Sequence, residues 1–373
     1  MKPFFSFTSV LGLMTLLLTA CSGPKEANLT SSQPSVTSNT ETNVVPNKPQ
    51  PVRLIDPRVQ EAIRQFNLGE YDEALPKLER LSRDRSLSVT DRRATLEALA
   101  EFAAASEENN KAIQLVSTLL QEEPPAYEPD PDKKPLEYLR AYYMARKNKS
   151  GGFGVERADP GIKTIAVMDF HNASITTDAA RYDRLQVGLP QLMMFQFQQN
   201  VNLKVVERAR LDWLMQEAKI QNDPASFDVS QAVRVGKMLG AHSVVFGTFI
   251  VLDKNRVRIA ARLVKVETSE ILLTENMEGK PADIMALSDQ LALRLARRIN
   301  ENQAIKMAAA NPTNSLDAML AYAEGLEVYH TQGPDLALEK FKLAVQLDGR
   351  FEQAKEKIAV IETSQRMAAA NVK

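Results

Sequence analysis

Short apolar runs alternate with longer periodic stretches in the middle of the chain, between residues 162 and 303. Residues 165–170 form a short apolar run, typical of a strand that is buried on both faces. An amphipathic stretch follows, a second run lies at residues 203–206, and residues 211–218 place apolar side chains at helical spacing. Because strand-like and helix-like patterns alternate here, we predict an α/β structure for the first part of this segment.

The next part of this segment predicts an antiparallel meander. Residues 244–252 are rich in β-forming side chains, Asp253-Lys254-Asn255 is a turn, and residues 257–263 alternate apolar and polar positions. Residues 271–277 predict a third strand, and residues 284–299 predict a long amphipathic helix. The predicted order is βαβααβββα, which is a mixed sheet with helices packed against it, in the α/β class.

The segments on either side of the predicted sheet show helical periodicity. In residues 59–123, small and aromatic side chains such as Ala62, Phe66 and Tyr71 recur where two antiparallel helices would interlock, with a turn at 67–70. A similar and clearer pattern runs from residue 321 to 354. Both resemble tetratricopeptide-type repeats, whose unit is about 34 residues. For the amino-terminal segment, a plain helical hairpin remains the alternative. For the carboxy-terminal segment, the alternative is one isolated unit that only packs against the domain before it, since a lone repeat falls short of the usual three.

The amino terminus has the composition of an export signal. Lys2 precedes an apolar stretch at residues 10–18, which ends in Leu18-Thr19-Ala20-Cys21. A membrane-spanning helix is the rival interpretation, but hydroxyl side chains dilute the stretch, and it is shorter than the about 20 apolar residues that a span needs. The four residues resemble the bacterial lipobox, which implies cleavage before Cys21 and lipidation of its thiol. Ser22 follows where an aspartate would imply retention at the inner membrane, so we expect the outer membrane.

Composition excludes several classes of protein. The formal net charge is −1, which provides no basic surface for nucleic acid. The chain has one cysteine, so no intramolecular disulfide and no thiolate metal cluster can form. His171, His242 and His330 are far apart in sequence, and no hydrolase or metalloprotease motif occurs. We therefore expect no metal, no cofactor and no catalysis.

Five short sequence motifs of the middle segment together resemble one family. They are Ile165-Ala166-Val167-Met168-Asp169-Phe170, Val205-Val206-Glu207-Arg208, Gly236-Lys237-Met238-Leu239-Gly240-Ala241, Val245-Phe246-Gly247-Thr248, and Arg262-Leu263-Val264-Lys265-Val266-Glu267-Thr268. The segment is similar to the periplasmic domain of the curli secretion channel family, the CsgG-like proteins. Related folds occur in the amino-terminal domain of TolB and in lipoprotein activators of peptidoglycan synthases, and the resemblance implies a non-catalytic binding domain.

One departure from the pore-forming members concerns the turn at Asp253-Lys254-Asn255. In those members the resemblance implies a long membrane-crossing insertion at this place and a second one after the last strand. A membrane-crossing strand needs about 9–11 residues, which this turn cannot supply. We therefore expect the binding domain without the membrane-crossing segments. The predicted organisation is a signal peptide at 1–20, a lipidated tether at 21–56, helical repeats at 57–148, a CsgG-like domain at 160–304 and a helical unit at 314–365.

Few residues suggest a site. Arg256, Arg258 and Arg262 project from one predicted strand, where they could meet anionic lipid or an acidic partner, or form a solvated sheet face. Tyr322 and Tyr329 are candidate partner contacts on the carboxy-terminal helices. Asp169 ends a strand where ligands bind in open sheets, but it has no catalytic companion at a convincing spacing. Glu207-Arg208 starts a helix and is interpreted as its cap.

The sequence therefore predicts a non-enzymatic outer-membrane lipoprotein, on the periplasmic side, that serves as a scaffold or accessory in assembling an envelope or secretion structure. Its expected partners are the membrane, through the acyl chains, and the proteins of that assembly. Two alternatives stay open: a subunit of an oligomeric secretion channel, and a regulator of peptidoglycan enzymes. Self-association also stays open, whereas binding of nucleic acid is not expected.

Overall fold

A five-stranded mixed sheet with helices on both faces organises the chain. The computed structural model describes residues 55–122, 127–154, 161–177, 179–198, 203–220, 223–300 and 311–371. The strands are β1 (Lys163–Asn172), β2 (Leu203–Val205), β3 (Ser243–Asp253), β4 (Arg256–Lys265) and β5 (Glu270–Gly279). The helices before the sheet are α1 (Pro57–Leu68), α2 (Tyr71–Ser82), α3 (Val89–Ala105), α4 (Asn109–Leu119) and α5 (Leu136–Ser150). The helices within the sheet segment are α6 (Leu185–Gln198), α7 (Arg208–Glu217), α8 (Val229–Leu239) and α9 (Ile284–Ile299), with short 3₁₀ turns at Ala179–Tyr182 and Pro281–Asp283. The last helices are α10 (Leu316–Thr331), α11 (Pro334–Leu347) and α12 (Glu352–Asn371).

The strand order across the sheet is β2-β1-β3-β4-β5. β1 pairs in parallel with both β2 and β3, whereas β3, β4 and β5 form an antiparallel meander. Lys254 and Asn255 make the turn between β3 and β4, and Asn255 N donates to Asp253 Oδ1 at 2.8 Å. The predicted α/β class and the predicted order of strands and helices are confirmed.

Both faces of the sheet are covered, which explains why β1 is apolar on both sides. On the first face, Ile165 and Val167 of β1 pack with α6, α9 and the carboxy-terminal helices. On the second face, Ala166 and Met168 pack with α7 and α8, and α5 packs behind α7. Burial of these alternating apolar side chains is the main favourable term that holds the layers together.

One glycine sets the distance between α8 and the sheet. Gly236 lies in the middle of α8, and a Cβ atom at this position would overlap the side chains of Val266 and Val244. Since both valines are buried, neither can move aside. This contact gives a packing reason for a glycine in one of the phrases that carry the family resemblance.

The amino-terminal helices begin with the predicted hairpin. Asp56 caps α1 by accepting a hydrogen bond from Arg58 N at 2.9 Å, and Pro57 occupies the first helical position. Gly69, with φ of 83°, ends α1 in the left-handed conformation that a turn into α2 requires. The pair formed by α3 and α4 follows. The predicted signal peptide and the predicted tether up to residue 54 lie outside the described residues.

The carboxy-terminal helices contact both the sheet segment and the amino-terminal helices. α10 packs on α6, while α12 reaches α3, where Met367 joins the apolar cluster of the amino-terminal helices. Lys357 Nζ of α12 donates to Pro131 O and pairs with Asp132, both at 3.1 Å. As a result, residues 54–373 form one compact unit, within which the domain limits drawn from the sequence remain predictions. In the part of the chain that the structure describes, no helix has the length and apolar composition needed to cross a membrane.

Candidate functional site

A buried ion pair joins the end of β1 to the start of α7. Both terminal nitrogens of Arg208 donate to the carboxylate of Asp169, with Nη2 at 3.2 Å from Oδ2. The remaining guanidinium nitrogen, Nε, donates to Asp212 Oδ2 at 2.8 Å. Asp169 is 8% exposed, and the Arg208 side chain is 12% exposed. The guanidinium is therefore bound by two carboxylates in surroundings with little water.

Local sequence explains how these three groups meet. β2 ends at Val205 and α7 starts at Arg208, so the arginine is carried to the neighbouring β1 by the parallel pairing of the two strands. Asp212 is four residues further along α7, which places it on the same side of the helix as Arg208. Asp169 lies where the register of β1 against β3 shifts, between Val167 and Phe170. The ion pair thus fixes an irregular place in β1.

His330 of α10 completes this network of four side chains. Its Nε2 lies 3.2 Å from Asp212 Oδ2. Burial lowers the pKa of His330 to about 4, in spite of the opposing effect of Asp212. The imidazole is consequently neutral at pH 7, so its contact with Asp212 is not an ion pair. We call Asp169, Arg208, Asp212 and His330 the buried network.

The charges of the buried network stabilise one another. Burial alone lowers the pKa of Arg208, but the carboxylates of Asp169 and Asp212 outweigh that effect and raise the pKa above its ordinary value. The guanidinium therefore stays charged at any pH at which the protein is folded. The buried network is therefore better suited to holding β1, α7 and α10 together than to transferring a proton.

The buried network separates two hollows. On one side is an open cleft of about 600 Å³, where the carboxylates of Asp183 and Glu327 join those of the network. Burial and the charge of Asp169 raise the pKa of Glu327. We call this hollow the acidic cleft. In the described part of the chain, no group of three or more His, Cys, Asp or Glu side chains is placed to hold a metal ion.

On the other side lies a narrower hollow of about 90 Å³, which we call the inner cavity. It is enclosed by the loop before α5, by α6, by the start of α7, by α10 and by the start of α12. The residues that line it and bear on its chemistry are Asp132, Lys134, Gln191, Leu192, Glu207, Arg208, Met319, Tyr322, Leu326, Tyr329, His330, Phe351 and Lys357.

The three arginines predicted as contact residues lie on β4 and are exposed. Arg256 Nε donates to Asp253 Oδ2 at 2.9 Å, and Arg258 Nε donates to Glu278 Oε1 of β5 at 2.6 Å. Arg262 lies over the ring of Phe246, 5.9 Å from its centroid. The structure therefore brings the three together on the second face of the sheet, beyond the area that α7 and α8 cover.

The two tyrosines predicted as contact residues lie in the core of the first face. Tyr322 is 6% exposed, and its ring lies 5.3 Å from that of Phe341 and 4.9 Å from that of Phe351. Tyr329 is 7% exposed, and its hydroxyl oxygen accepts a hydrogen bond from Leu136 N at 3.2 Å. Both line the inner cavity, on the opposite side of the sheet from the arginines. A contact with a partner through either residue stays a prediction, as does lipidation of Cys21, which lies outside the described residues.

The buried network is the part of the site that the sequence did not predict. Asp169 and Glu207-Arg208 were singled out separately, the first as a strand end and the second as a helix cap. The Glu207 side chain makes no capping hydrogen bond to α7. The four-residue spacing of Arg208 and Asp212 could have indicated an ion pair on one helix. Nothing in the sequence connects either residue to His330.

Comparison with known families gives one match. Residues 155–258 match the family described as curli production assembly/transport component CsgG. The matched residues contain β1 to β3 with α6, α7 and α8, and they end within β4. They amount to fewer than half of the chain and include none of the flanking helices α1 to α5 and α10 to α12. Comparison with curated protein sequences finds no match.

Comparison with solved structures finds weak similarities to lipoprotein domains. The LpoB C-terminal domain from Escherichia coli is 16% identical, with 33% of this chain and 85% of that chain covered and a TM-score of 0.24. Lipoprotein GNA1162 from Neisseria meningitidis is 13% identical, with 38% and 99% covered and a TM-score of 0.23. TM-scores of this size carry no argument about fold or function. The family match therefore shows a CsgG domain at residues 155–258, which contain the first three strands of the sheet and the helices α6, α7 and α8.

Proposed function

We propose that this chain is a lipid-anchored accessory protein of the bacterial outer membrane, which acts on the periplasmic side as a scaffold in assembling an envelope or secretion structure. The observation that carries the proposal is a combination of two features in one chain. One is the CsgG domain, and the other is the lipobox-like Leu18-Thr19-Ala20-Cys21 at the end of the predicted signal peptide. Acyl chains on Cys21 would hold the protein at the membrane, because two or more chains give stable anchoring.

The charged groups of the site favour a binding protein over an enzyme. In the buried network, Arg208 is bound by both Asp169 and Asp212, and His330 Nε2 lies 3.2 Å from Asp212 Oδ2. A catalytic acid or base needs a pKa near the working pH and access to a substrate. The pKa of His330 is far below that range, so the network supports a structural role for these residues.

The proposed contact surface for protein partners is the exposed face of β4, which we call the arginine face after Arg256, Arg258 and Arg262. The pairs Arg256–Asp253 and Arg258–Glu278 are solvent-exposed, with arginine side chains 70% and 52% exposed. Exposed ion pairs contribute little to stability. The two arginines can therefore leave these pairs and bind an acidic partner with little loss of folding stability. This favours partner recognition as the role of the arginine face.

Anchoring is tested by Cys21→Ala in cells. We expect the variant to fold like the wild type, because the described structure does not involve that residue, and to leave the membrane fraction. Fractionation at high salt measures the result, with Ser22→Ala as a matched small-residue control that should stay with the outer membrane. A Cys21→Ala protein that still sediments with the outer membrane contradicts the lipid anchor.

Partner contact is tested by a photo-crosslinking amino acid at Arg262, with the same substitution at the exposed Glu339 of α11 as control. Crosslinks from position 262 to other envelope proteins, identified by mass spectrometry, support the accessory function. A ladder of self-crosslinks would favour the oligomeric channel subunit, and crosslinks to peptidoglycan enzymes would favour the regulator. Equal yields of the same products at both positions would count against the arginine face as the contact surface.

A further inference from the structure

The arginine face contains a row of small side chains between two arginines. Residues that lie directly opposite one another on paired strands project from the same face of a sheet. The register of β3, β4 and β5 therefore gives three neighbouring rows on this face: Phe246, Arg262 and Thr274; Thr248, Ala260 and Asn276; Ile250, Arg258 and Glu278. We call the middle row, formed by Thr248, Ala260 and Asn276, the trough, because its side chains are shorter than those of the rows beside it.

Neither arginine lies over the trough. The Arg262 guanidinium is directed towards β3, where it lies 5.9 Å from the centroid of the Phe246 ring. Arg258 is directed towards β5, where its Nε donates to Glu278 Oε1 at 2.6 Å. Each partner is the residue directly opposite the arginine, so both guanidinium groups stay within their own rows. They flank the trough on two sides, and Ala260 between them is partly exposed.

The trough has the width of an α-helix. Arg258 and Arg262 are four residues apart on β4. At about 3.4 Å per residue, their Cα atoms are separated by about 13–14 Å. An α-helix with its side chains is about 10–12 Å across. A helix that crosses β4 over Ala260 therefore fits between the two arginines, and the small side chain at Ala260 lets it approach the sheet closely.

A partner can bind at the trough only through side chains. β4 is paired with β3 on one side and with β5 on the other, so its backbone groups already bind neighbouring strands. An extended segment, which binds through backbone hydrogen bonds at a sheet edge, is therefore not favoured here. The adjoining part of the same face is covered by helices, since α7 and α8 belong to the cluster around Ala166, Met168 and Phe246. A further helix would extend that layer over the trough.

The charges beside the trough favour an acidic helix. Arg262 is exposed and forms no ion pair with any described residue. The ion pair of Arg258 with Glu278 is exposed, with side chains 52% and 61% exposed, and such pairs contribute little to stability. An arginine can bind a carboxylate with two parallel hydrogen bonds. Carboxylates on both flanks of a helix in the trough would therefore meet one arginine each.

We propose that the trough binds one α-helix of a partner protein. Small or apolar residues of that helix pack on Ala260, and acidic residues on its two flanks pair with Arg258 and Arg262. The proposal rests on the proposed function, because it specifies the kind of segment that the arginine face recognises. The arginine face of a second copy does not meet this requirement, since it would bring arginines against arginines.

Two synthetic peptides test the helix and its pattern of charge, by fluorescence anisotropy with the full-length protein in detergent. The first has three repeats of Ala-Ala-Gln-Leu-Glu-Ala-Glu, whose glutamates flank the leucine stripe of the helix. The control has three repeats of Ala-Glu-Gln-Leu-Ala-Glu-Ala, with the same composition and net charge but with the glutamates on the opposite face. We expect the first peptide to bind more weakly as salt is raised. The control should bind at least about tenfold more weakly than the first peptide.

Variants locate the bound peptide. Arg258→Gln and Arg262→Gln should each weaken binding of the first peptide at least about fivefold, because each removes one charge pair. Arg64→Gln removes an arginine of α1 that is exposed to the same extent, 53%, and should leave binding unchanged. Ala260→Phe fills the trough with a residue that suits a strand, and it should abolish binding. Thermal unfolding establishes that each variant is folded, and the arginine variants decide the matter if Ala260→Phe does not fold.

Equal binding of the two peptides would overturn the proposal, as would no binding of the first peptide at millimolar concentration. Unchanged binding by a folded protein with both Arg258→Gln and Arg262→Gln would do the same. Without peptide binding, self-association or binding to phosphatidylglycerol vesicles that Ala260→Phe abolishes would assign the trough to a second copy or to the membrane. Crosslinks from position 262 in cells without peptide binding would contradict the helix alone. Peptide binding without such crosslinks would contradict the proposed function instead.

Discussion

Arg208 donates to both oxygens of Asp169, so the first residue of α7 is bound near the carboxyl end of β1. The pair is largely buried, and Asp212 binds the third side of the guanidinium. Three structural elements, β1, α7 and α10, meet at this point, since His330 Nε2 of α10 lies 3.2 Å from Asp212 Oδ2. The stability of the region around the site should therefore depend on the arginine more than on any exposed charge.

Arg208→Ala should reduce the free energy of unfolding by about 3–5 kcal/mol, because it leaves two carboxylates buried without a counter-charge. Arg208→Lys should be intermediate, since a lysine keeps the charge but cannot bind both aspartates with a planar fork. Denaturant unfolding measures both. Arg256→Ala is the matched control: its pair with Asp253 is exposed, and we expect a change below about 1 kcal/mol. Equal losses at Arg208 and Arg256 would contradict the buried network.

His330 should make the folded state less stable in acid. Its pKa falls from 6.5 to about 4 on folding, so the folded state resists a proton that the unfolded chain accepts. Stability contributed by the neutral imidazole is complete above pH 6.5 and is lost as the pH falls from 6.5 to about 4. The loss amounts to about 3 kcal/mol.

The measurement for His330 is unfolding by denaturant at several pH values between 7 and 4. His330→Gln cannot take up the proton, so its stability should fall less steeply than that of the wild type over this window. Because the carboxylates titrate in both proteins, the difference between the two curves isolates the imidazole. Parallel curves would mean that His330 is solvated in the folded protein.

Gly325 should not tolerate a methyl group. A Cβ atom there would lie 2.6 Å from Phe341 Cε1, and Phe341 is fully buried between α10 and α11. We expect Gly325→Ala to destabilise the protein by about 1–3 kcal/mol through overpacking, even though alanine favours helix formation. Ala344→Trp, at a fully buried position of α11, should act in the same direction. Gly349→Ala is the control, because its nearest neighbour, Val345 O, is 4.0 Å away. Thermal unfolding that ranks Gly349→Ala with Gly325→Ala would refute close contact of the two helices.

Tyr329→Phe should cost about 1–3 kcal/mol, because it removes the only described acceptor for the Leu136 backbone N–H. Hydrogen exchange gives the sharper readout: the Leu136 amide at the start of α5 should lose protection while the sheet amides keep theirs. Tyr182→Phe changes a tyrosine that has no hydroxyl hydrogen bond within the described chain, and it should leave both measurements unchanged. If the Leu136 amide stays protected in Tyr329→Phe, the hydrogen bond between Leu136 N and the Tyr329 hydroxyl does not hold α5 to α10.

The sequence by itself determined the secondary structure of the middle segment and its class. Period-2 and helical patterns reflect which face of each element is buried, and this property is local, so β1, the β3–β4 hairpin and α9 could be recognised from residue spacing. The turn at Lys254-Asn255 was predictable for the same reason, since its residues adopt turn conformations irrespective of the rest of the fold. The family match in the middle segment agrees with those local patterns.

Tertiary structure alone decided which residues form the site. Asp169, Arg208 and His330 belong to three elements, and their meeting depends on the parallel pairing of β1 with β2 and on the packing of α10 against α6. The same packing buries Tyr322 and Tyr329, which the helical pattern predicted as candidate contacts, because the pattern shows that a face is apolar but not what covers it. Long-range contacts of this kind leave no periodic signal in the sequence. The buried network, the acidic cleft and the inner cavity therefore arise only when the helices from both ends of the described chain close around the sheet.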